Sequence, residues 1–182
     1  MRLGLAANRL HHATRDAGLF RWLRACEPAI RELGLELHAV GRTHDAIVRA
    51  GLLAGHPGLK RYPYGRDGGL MRLVAEVVGM PGEDRTLDGA IYLIDPVDPS
   101  SVFPEAVALK RQCVIHGKPF ISTVASACDW IENERIHAGL DPDPAADRFH
   151  AFESQTLALI AHDAMKPQML AFAAEHFDVL SR

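Results

Sequence analysis

A His-Asp pair, with a lysine four residues after the histidine, follows an apolar run near the end of this chain. The stretch reads LALIAHDAMKPQML and contains His162, Asp163 and Lys166. The run has the length of a strand, and the residues after it predict an amphipathic helix. Active-site segments of α/β proteins commonly begin in this way, because ligands lie at the carboxyl ends of parallel strands. These residues are therefore candidates for binding or catalysis.

Further polar clusters follow predicted strands in the first 132 residues. In chain order they are NRLHH, GRTHD, YGRD, DPVDP and STVAS. Strands that run parallel bring such clusters to one edge of the sheet. The sequence therefore predicts a ligand pocket built from them.

The elements that would position these groups alternate between strands and helices. Strands are predicted over 2–7, 35–41, 88–95 and 118–126, of which DGAIYLID is the clearest buried one. Helices are predicted between them, including one with apolar residues at helical spacing (Leu19, Trp22, Leu23, Cys26, Ile30) and one capped by Thr43 or Asp45. This alternation predicts an α/β fold of three layers, with a doubly wound, mostly parallel sheet flanked by helices.

Composition narrows the class of protein. The chain has 182 residues, 48% hydrophobic and 24% charged, with a formal net charge of −3. That charge disfavours binding to nucleic acid or to an anionic membrane surface. The longest apolar runs fall short of the ~18 residues that a membrane span requires. Three cysteines without metal-ligand spacing indicate reduced thiols, so we expect a cytoplasmic protein with no metal ion.

The chain is expected to contain one domain and part of another. Residues 1–132 form the predicted domain, and residues 133–155, rich in Pro, Asp and Ala, form a predicted linker. Residues 156–182 then resemble the start of the chain, with Leu157–His162 corresponding to Leu3–Asn8. We expect this last segment to be the first strand and helix of a second, incomplete copy, as in a longer tandem protein.

Several motifs, in the same order along the chain, resemble the methylglyoxal synthase family. The stretch IAHDAMKPQM resembles its His-Asp-x-x-Lys opening. Residues 2–132 resemble a whole domain of the family through HAVGRTHDAIVRAG, YPYGRDGG, AIYLIDP and KPFISTVASACDWI. The resemblance implies an enzyme that converts dihydroxyacetone phosphate to methylglyoxal and phosphate without a cofactor. The same fold also serves as a regulatory ligand-binding domain in carbamoyl-phosphate synthetase and in a purine-biosynthesis enzyme.

The resemblance also implies roles for particular residues. Asp67 would be the catalytic base and Asp95 a supporting carboxylate, while His162 would polarise the substrate carbonyl. The phosphate would be held by the helix start and the glycine turn, through Gly41, Arg42, Thr43, Gly65 and Lys166. The plainer interpretations are a turn residue for Asp67, a turn or helix cap for Asp95, and an exposed loop arginine for Arg42. The family further implies a closed homo-oligomer.

The first copy departs from the family pattern at several positions. Asn8 and Val102 replace histidines, His12 falls where the lysine is expected, Glu105 replaces an aspartate and Tyr62 a glycine. Loss of an electrophilic histidine typically costs orders of magnitude in rate. Two hypotheses follow: a methylglyoxal synthase-type lyase, or a catalytically degenerate regulatory domain that binds a phosphorylated metabolite. A purely structural domain is a third alternative. In the lyase hypothesis, a strand swapped between subunits would bring His162 and Lys166 to the site.

Overall fold

The computed structural model describes residues 1–79, 86–143 and 156–181 of the chain. It divides into two compact units, Met1–Ala146 and Asp147–Arg182. None of the described helices has the length and apolarity needed to cross a membrane.

The first unit is built on a five-stranded sheet in the order β3-β2-β1-β4-β5. Every neighbouring pair of strands runs parallel. The strands are β1 (Arg2–Ala7), β2 (Glu36–Ala39), β3 (Leu59–Arg61), β4 (Gly89–Leu93) and β5 (Phe120–Ile121). The order reverses beside β1, so the ends of β1, β2 and β4 form a topological switch point, where ligands bind in such sheets.

Helices cover both faces of this sheet. They are α1 (Gly18–Glu32), α2 (Gly41–Arg49), α3 (Gly69–Val78), α4 (Pro104–Ile115) and α5 (Val124–His137). Helix α1 packs on α5, and α3 packs on α4. The apolar residues of α1 predicted from their spacing are all buried. The predicted three-layer α/β fold is confirmed.

Strand β4 shows why the sheet needs both helical layers. All five of its residues are buried. Ala90 and Tyr92 belong to the core formed with α3 and α4, and Leu93 and Ile91 alternate with them along the strand. A strand buried on both faces is a nearly continuous apolar run, as GAIYL is.

Three differences between the sequence-based elements of the first unit and its structure have a clear physical cause. Strand β3 was not predicted, because its three residues, LKR, carry no apolar alternation and lie at the sheet edge. Strand β5 is shorter than predicted, because α5 begins at Val124 with Thr123 as its N-cap. Thr43 and Asp45 do not cap α2, which begins at Gly41 after Val40 without a side-chain cap.

The second unit contains α6 (Lys166–Glu175) and α7 (Phe177–Leu180). The helix predicted after His162 is thus confirmed as α6, but the strand predicted over Leu157–Ala161 is not formed. A strand needs a partner for its backbone groups, and the described part of this unit holds only helices and irregular backbone. The predicted linker, 133–155, begins inside α5, and its residues 144–155 lie outside the described ones.

Candidate functional site

A cavity of about 330 Å³ lies at the carboxyl ends of β1, β2 and β4. We call it the strand-end cavity. Its apolar floor comes from the strand ends and from Leu70 and Phe103. Most of its polar lining comes from the predicted clusters that follow the strands: Asn8, Arg9, His12, Arg42, Arg66 and Asp98. Ser100 and Glu105, which lie beyond the DPVDP cluster, complete it. The predicted meeting of these clusters at one sheet edge is thereby observed for four of the five.

Asn8 is the residue that ties the strand ends together. It is buried, and its side-chain amide donates to Ser100 Oγ at 2.9 Å and to Asp98 Oδ2 at 3.4 Å. Its carbonyl oxygen accepts the Asp95 N–H at 3.1 Å and the Ser101 hydroxyl at 2.9 Å. Both amide donors of Asn8 are thus used. The Ser101 hydroxyl also lies 2.6 Å from the Asp95 carbonyl oxygen, which competes with Asn8 for its proton. Asn8 therefore fixes the loop after β4 and has no group left to polarise a substrate.

The start of α2 offers backbone donors to the cavity. The Gly41 N–H is bonded to the Pro63 carbonyl oxygen at 3.0 Å, so it is not available to a ligand. The Thr43 side chain is fully buried, and its Oγ accepts the Ala7 N–H at 3.0 Å. Among the described residues, no acceptor is found for the N–H groups of Arg42 and Thr43. Of the predicted phosphate loop, Gly41 and the Thr43 hydroxyl thus hold the fold together. Of the two N–H groups without a described acceptor, that of Arg42 belongs to a residue that lines the cavity.

The glycine turn after β3 depends on its last two residues. Gly68 has a positive φ of 91°, and a side chain on Gly69 would collide with the Pro63 carbonyl oxygen. Gly65 and Arg66 of this turn line the cavity, whereas Asp67 is exposed and is not among the lining residues. The structure therefore brings the predicted Gly65 to the site, and it leaves the predicted base, Asp67, on the solvent side of the turn.

The two aspartates after β4 have different positions. Asp95 Oδ1 accepts the Val97 N–H at 3.1 Å, which is the turn-cap arrangement. Asp98 lines the cavity, and its Oδ1 accepts the Ser100 N–H at 2.9 Å. That backbone hydrogen bond, with the Ser100 side chain, lowers the pKa of Asp98. Asp98 is therefore a carboxylate that lines the cavity, as Glu105 is, whereas the predicted Asp95 is not among the lining residues and its supporting role stays a prediction.

Positive charge dominates the mouth of the cavity. Across the described ranges, the side chains of Arg42 and Arg66 make no hydrogen bond and no ion pair. Both also line an adjoining cavity of about 390 Å³, together with Asp45, Arg49 and Tyr64. His12, which also lines the strand-end cavity, is partly buried, and burial, followed by the charges of Arg42 and Arg49, lowers its pKa. Within residues 1–79, 86–143 and 156–181, the side chains of Arg42 and Arg66 thus remain available to bind an anion.

Asp45 does not neutralise those arginines, because it has its own partners. Its carboxylate accepts hydrogen bonds from Arg61 Nε at 3.0 Å and from the Tyr64 hydroxyl at 3.1 Å. The hydrogen bond from Arg61 is the main cause that lowers the pKa of Asp45 to about 2. The Tyr64 ring is thereby held against α2, so closely that a Cβ on Gly41 would lie 2.7 Å from it.

His162 and Lys166 lie in the second unit, and both are exposed. The Lys166 ammonium forms an ion pair with Asp163 at 2.5 Å. Their predicted roles in catalysis and phosphate binding stay predictions.

Sequence reasoning did not choose several of the lining residues. Asp98, Arg66 and Arg9 lie inside predicted pocket-forming clusters, and Ser100 directly follows one, so the signal was present at the level of the cluster. Which member of a cluster faces the cavity depends on the turn conformation, and that could not be read from spacing. Among the described residues, no group of His, Cys, Asp and Glu side chains could hold a metal ion.

Comparison with known proteins places the fold. The chain is similar to the crystal structure of a methylglyoxal synthase from Elizabethkingia anophelis NUHP1, with a TM-score of 0.54. The match covers 87% of this chain and 93% of that chain, with 18% sequence identity. No family model and no curated protein sequence matches the chain. The fold is thus a methylglyoxal synthase-like α/β domain.

Proposed function

We propose that the first unit binds a phosphorylated small molecule in the strand-end cavity and acts as a ligand-binding domain rather than as a catalyst. This proposal rests on one observation. The side chains of Arg42 and Arg66, which have no acidic partner among the described residues, occur together with N–H groups at the start of α2 that have no described acceptor. The methylglyoxal synthase-like fold supports the same ligand class.

A phosphate group suits these donors better than a carboxylate does. Backbone N–H groups at a helix N-terminus favour an anion through the helix dipole. A guanidinium adds a planar fork that bonds two phosphate oxygens at once, and such charge-assisted bonds are roughly twice as strong as neutral ones. Arg42 supplies both an N–H and a guanidinium from the same residue.

The cavity also sets the size and polarity of the ligand. A volume of about 330 Å³ lies at the small end of ligand sites, which run from ~300 to ~1,000 Å³. Asp98 and Glu105 stand on the α4 side of the lining, where they can accept hydrogen bonds from hydroxyl groups. The arrangement fits a polyhydroxylated phosphate ester whose phosphate lies at the α2 side.

Three features disfavour catalysis of the methylglyoxal synthase type. Asn8 occupies the position of an expected histidine, and its amide is fully hydrogen-bonded. Val102, at the position of the other, is exposed and apolar, and Asp67 stands outside the cavity lining. The residues present can bind and orient an ester, but none of these three is placed to polarise a ketone or to remove the proton beside it.

Titration calorimetry on the full chain with dihydroxyacetone phosphate tests this proposal. We expect saturable binding that weakens about tenfold in Arg42→Gln, the value expected for one charge-assisted contact. Arg111→Gln, which removes the same charge from exposed α4, is the matched control and should bind like the natural chain. An absence of binding, or equal weakening in both variants, would contradict the proposal.

The lyase is the second candidate, and the carboxylates in the cavity favour it. Asp98 is ionised beside a set of cations, as a base acting on a phosphorylated ketone would be. His162 and Lys166 keep their predicted roles in this candidate. Phosphate release from dihydroxyacetone phosphate, lost in Asp98→Asn or Asp67→Asn and in His162→Gln, would establish it. We expect the natural chain to release phosphate no faster than those variants do.

A further inference from the structure

A second basic cavity lies beside the strand-end cavity. It measures about 530 Å³ and lies between the loop after β1, helix α1 and the last turns of α2. We call it the flanking cavity. Its charged and polar lining consists of His12, Thr14, Arg15, Arg24 and Arg49. Nothing proposed above uses it.

The flanking cavity has positive charge and no acid of its own. No carboxylate is among its lining residues. Arg24 is 3.7 Å from Asp16, whose side chain is 92% exposed, so this pair is weak in water. Arg49 donates its Nε to the Asp45 backbone oxygen at 3.2 Å, and in the described part of the chain its two terminal nitrogens have no acceptor. In a chain with a net charge of −3, such a concentration of unneutralised arginines indicates an anion site.

His12 connects the two cavities. It lines both of them, and the charges of Arg42, in the strand-end cavity, and Arg49, in the flanking cavity, both act on its ring. Arg49 also lines the adjoining cavity that holds Arg42 and Arg66. The basic surface is therefore continuous from the turn after β3 to α1, and two anions bound on it would have the His12 ring at the boundary between them.

We propose that the ligand of the first unit carries two phosphate groups on separate carbons, with the second phosphate held in the flanking cavity by Arg15, Arg24 and Arg49. This inference rests on the proposed function, because it assigns the first phosphate to Arg42 and the start of α2. A diphosphate would not fit as well, since its two phosphorus atoms share one oxygen and cannot lie on either side of a ring. The ligand class is a sugar bisphosphate.

Calorimetry with a matched pair of ligands tests the assignment. Fructose 6-phosphate and fructose 1,6-bisphosphate differ by one phosphate, and we expect the full chain to bind the bisphosphate at least about tenfold more tightly. The double variant Arg15→Gln/Arg24→Gln should lose most of that advantage and should keep its affinity for the monophosphate. Both residues are exposed and line neither the strand-end cavity nor the adjoining one, so the fold should be unaffected.

A second variant and a control make the test specific to the flanking cavity. Ala50→Glu places a carboxylate in the flanking cavity at an exposed position and should also remove the preference for the bisphosphate. Arg111→Gln lowers the total charge equally and should leave the preference intact. Equal affinity for both ligands, or a preference that survives in both flanking-cavity variants, would overturn this inference alone. If neither ligand bound, the proposed function would be overturned, and this inference with it.

Discussion

The strand-end cavity and a polar cluster buried beneath α3 use the same residue types in opposite ways. In the buried cluster, Glu76 accepts a hydrogen bond from the Tyr62 hydroxyl and another from Arg72 Nε at 2.8 Å. The Tyr62 oxygen also contacts His38 Nδ1 at 2.8 Å, and Arg2 lies 3.8 Å from Glu76. Every charge there has a partner within the chain.

In the cavity, by contrast, the arginines have none. Arg42 and Arg66 have neither a hydrogen bond nor an ion pair to any described residue. Proteins keep buried charges paired because an unpaired one costs several kcal/mol, whereas an exposed cation can wait for a ligand in water. Paired polar groups thus mark the part of the molecule that serves stability, and unpaired cations mark the part that serves binding.

Removing Glu76 should give the largest effect on stability. Burial alone would raise the pKa of Glu76, but hydrogen bonds from Tyr62 and Arg72 outweigh it and lower the value, so the carboxylate is charged. In Glu76→Ala we expect a loss of about 3 kcal/mol in the free energy of unfolding, measured by urea denaturation. The comparison is Arg42→Gln, which should change stability by less than about 0.5 kcal/mol. Similar losses in both variants would erase the distinction between the two regions.

Asn8 lies between these extremes, since it lines the cavity but is fully hydrogen-bonded. Asn8→Ala leaves the Asp95 N–H without its acceptor and removes the hydrogen bonds that Asn8 donates to Ser100 and Asp98, so we expect a loss of about 2 kcal/mol in the free energy of unfolding. The same denaturation experiment measures it. Asn8→His should be destabilised as well, because an imidazole cannot replace two donors and two acceptors. A stable Asn8→His with phosphate release would instead show that position 8 is poised for catalysis.

The fold could be predicted from the sequence more fully than the site could. The α/β fold follows from alternating apolar runs such as GAIYL and the helical spacing in α1, because burial on one face or on both leaves a periodic pattern. Strand β3 leaves none, because an edge strand of three residues buries little. The missing strand at Leu157–Ala161 shows the converse, since an apolar run becomes a strand only where a partner strand exists.

Site residues are harder to predict because they depend on turns. Asp95 and Asp98 stand in the same DPVDP cluster, and only the hydrogen bonds to Val97 and Ser100 decide which one caps a turn and which faces the cavity. The pairing of Asp45 with Arg61 joins residues from two elements, so spacing could not show that Asp45 leaves Arg42 unneutralised. Arg42 itself was predicted, because it stands at a helix start.

The smallest expected effect concerns two histidines, one in each region. Burial is the first cause that lowers the pKa of both His12 and His38 below 6.5. The unfolded chain therefore binds more protons than the folded one between each lowered value and 6.5, so the free energy of unfolding should fall as the pH drops through that window. Denaturation curves at several pH values measure this slope, and His12→Gln should reduce it.

Phosphate distinguishes the two histidines. An anion bound near Arg42 and Arg49 would offset the charges that lower the pKa of His12, whereas His38 faces Glu36, Glu76 and Arg2 in the buried cluster, away from any ligand. Saturating inorganic phosphate should therefore raise the pKa of His12, followed by its ring proton resonances in NMR titration, and leave that of His38 unchanged. His12→Gln assigns the shifting signal. Equal changes in the pKa of both histidines would indicate a general salt effect and would contradict an anion site beside His12.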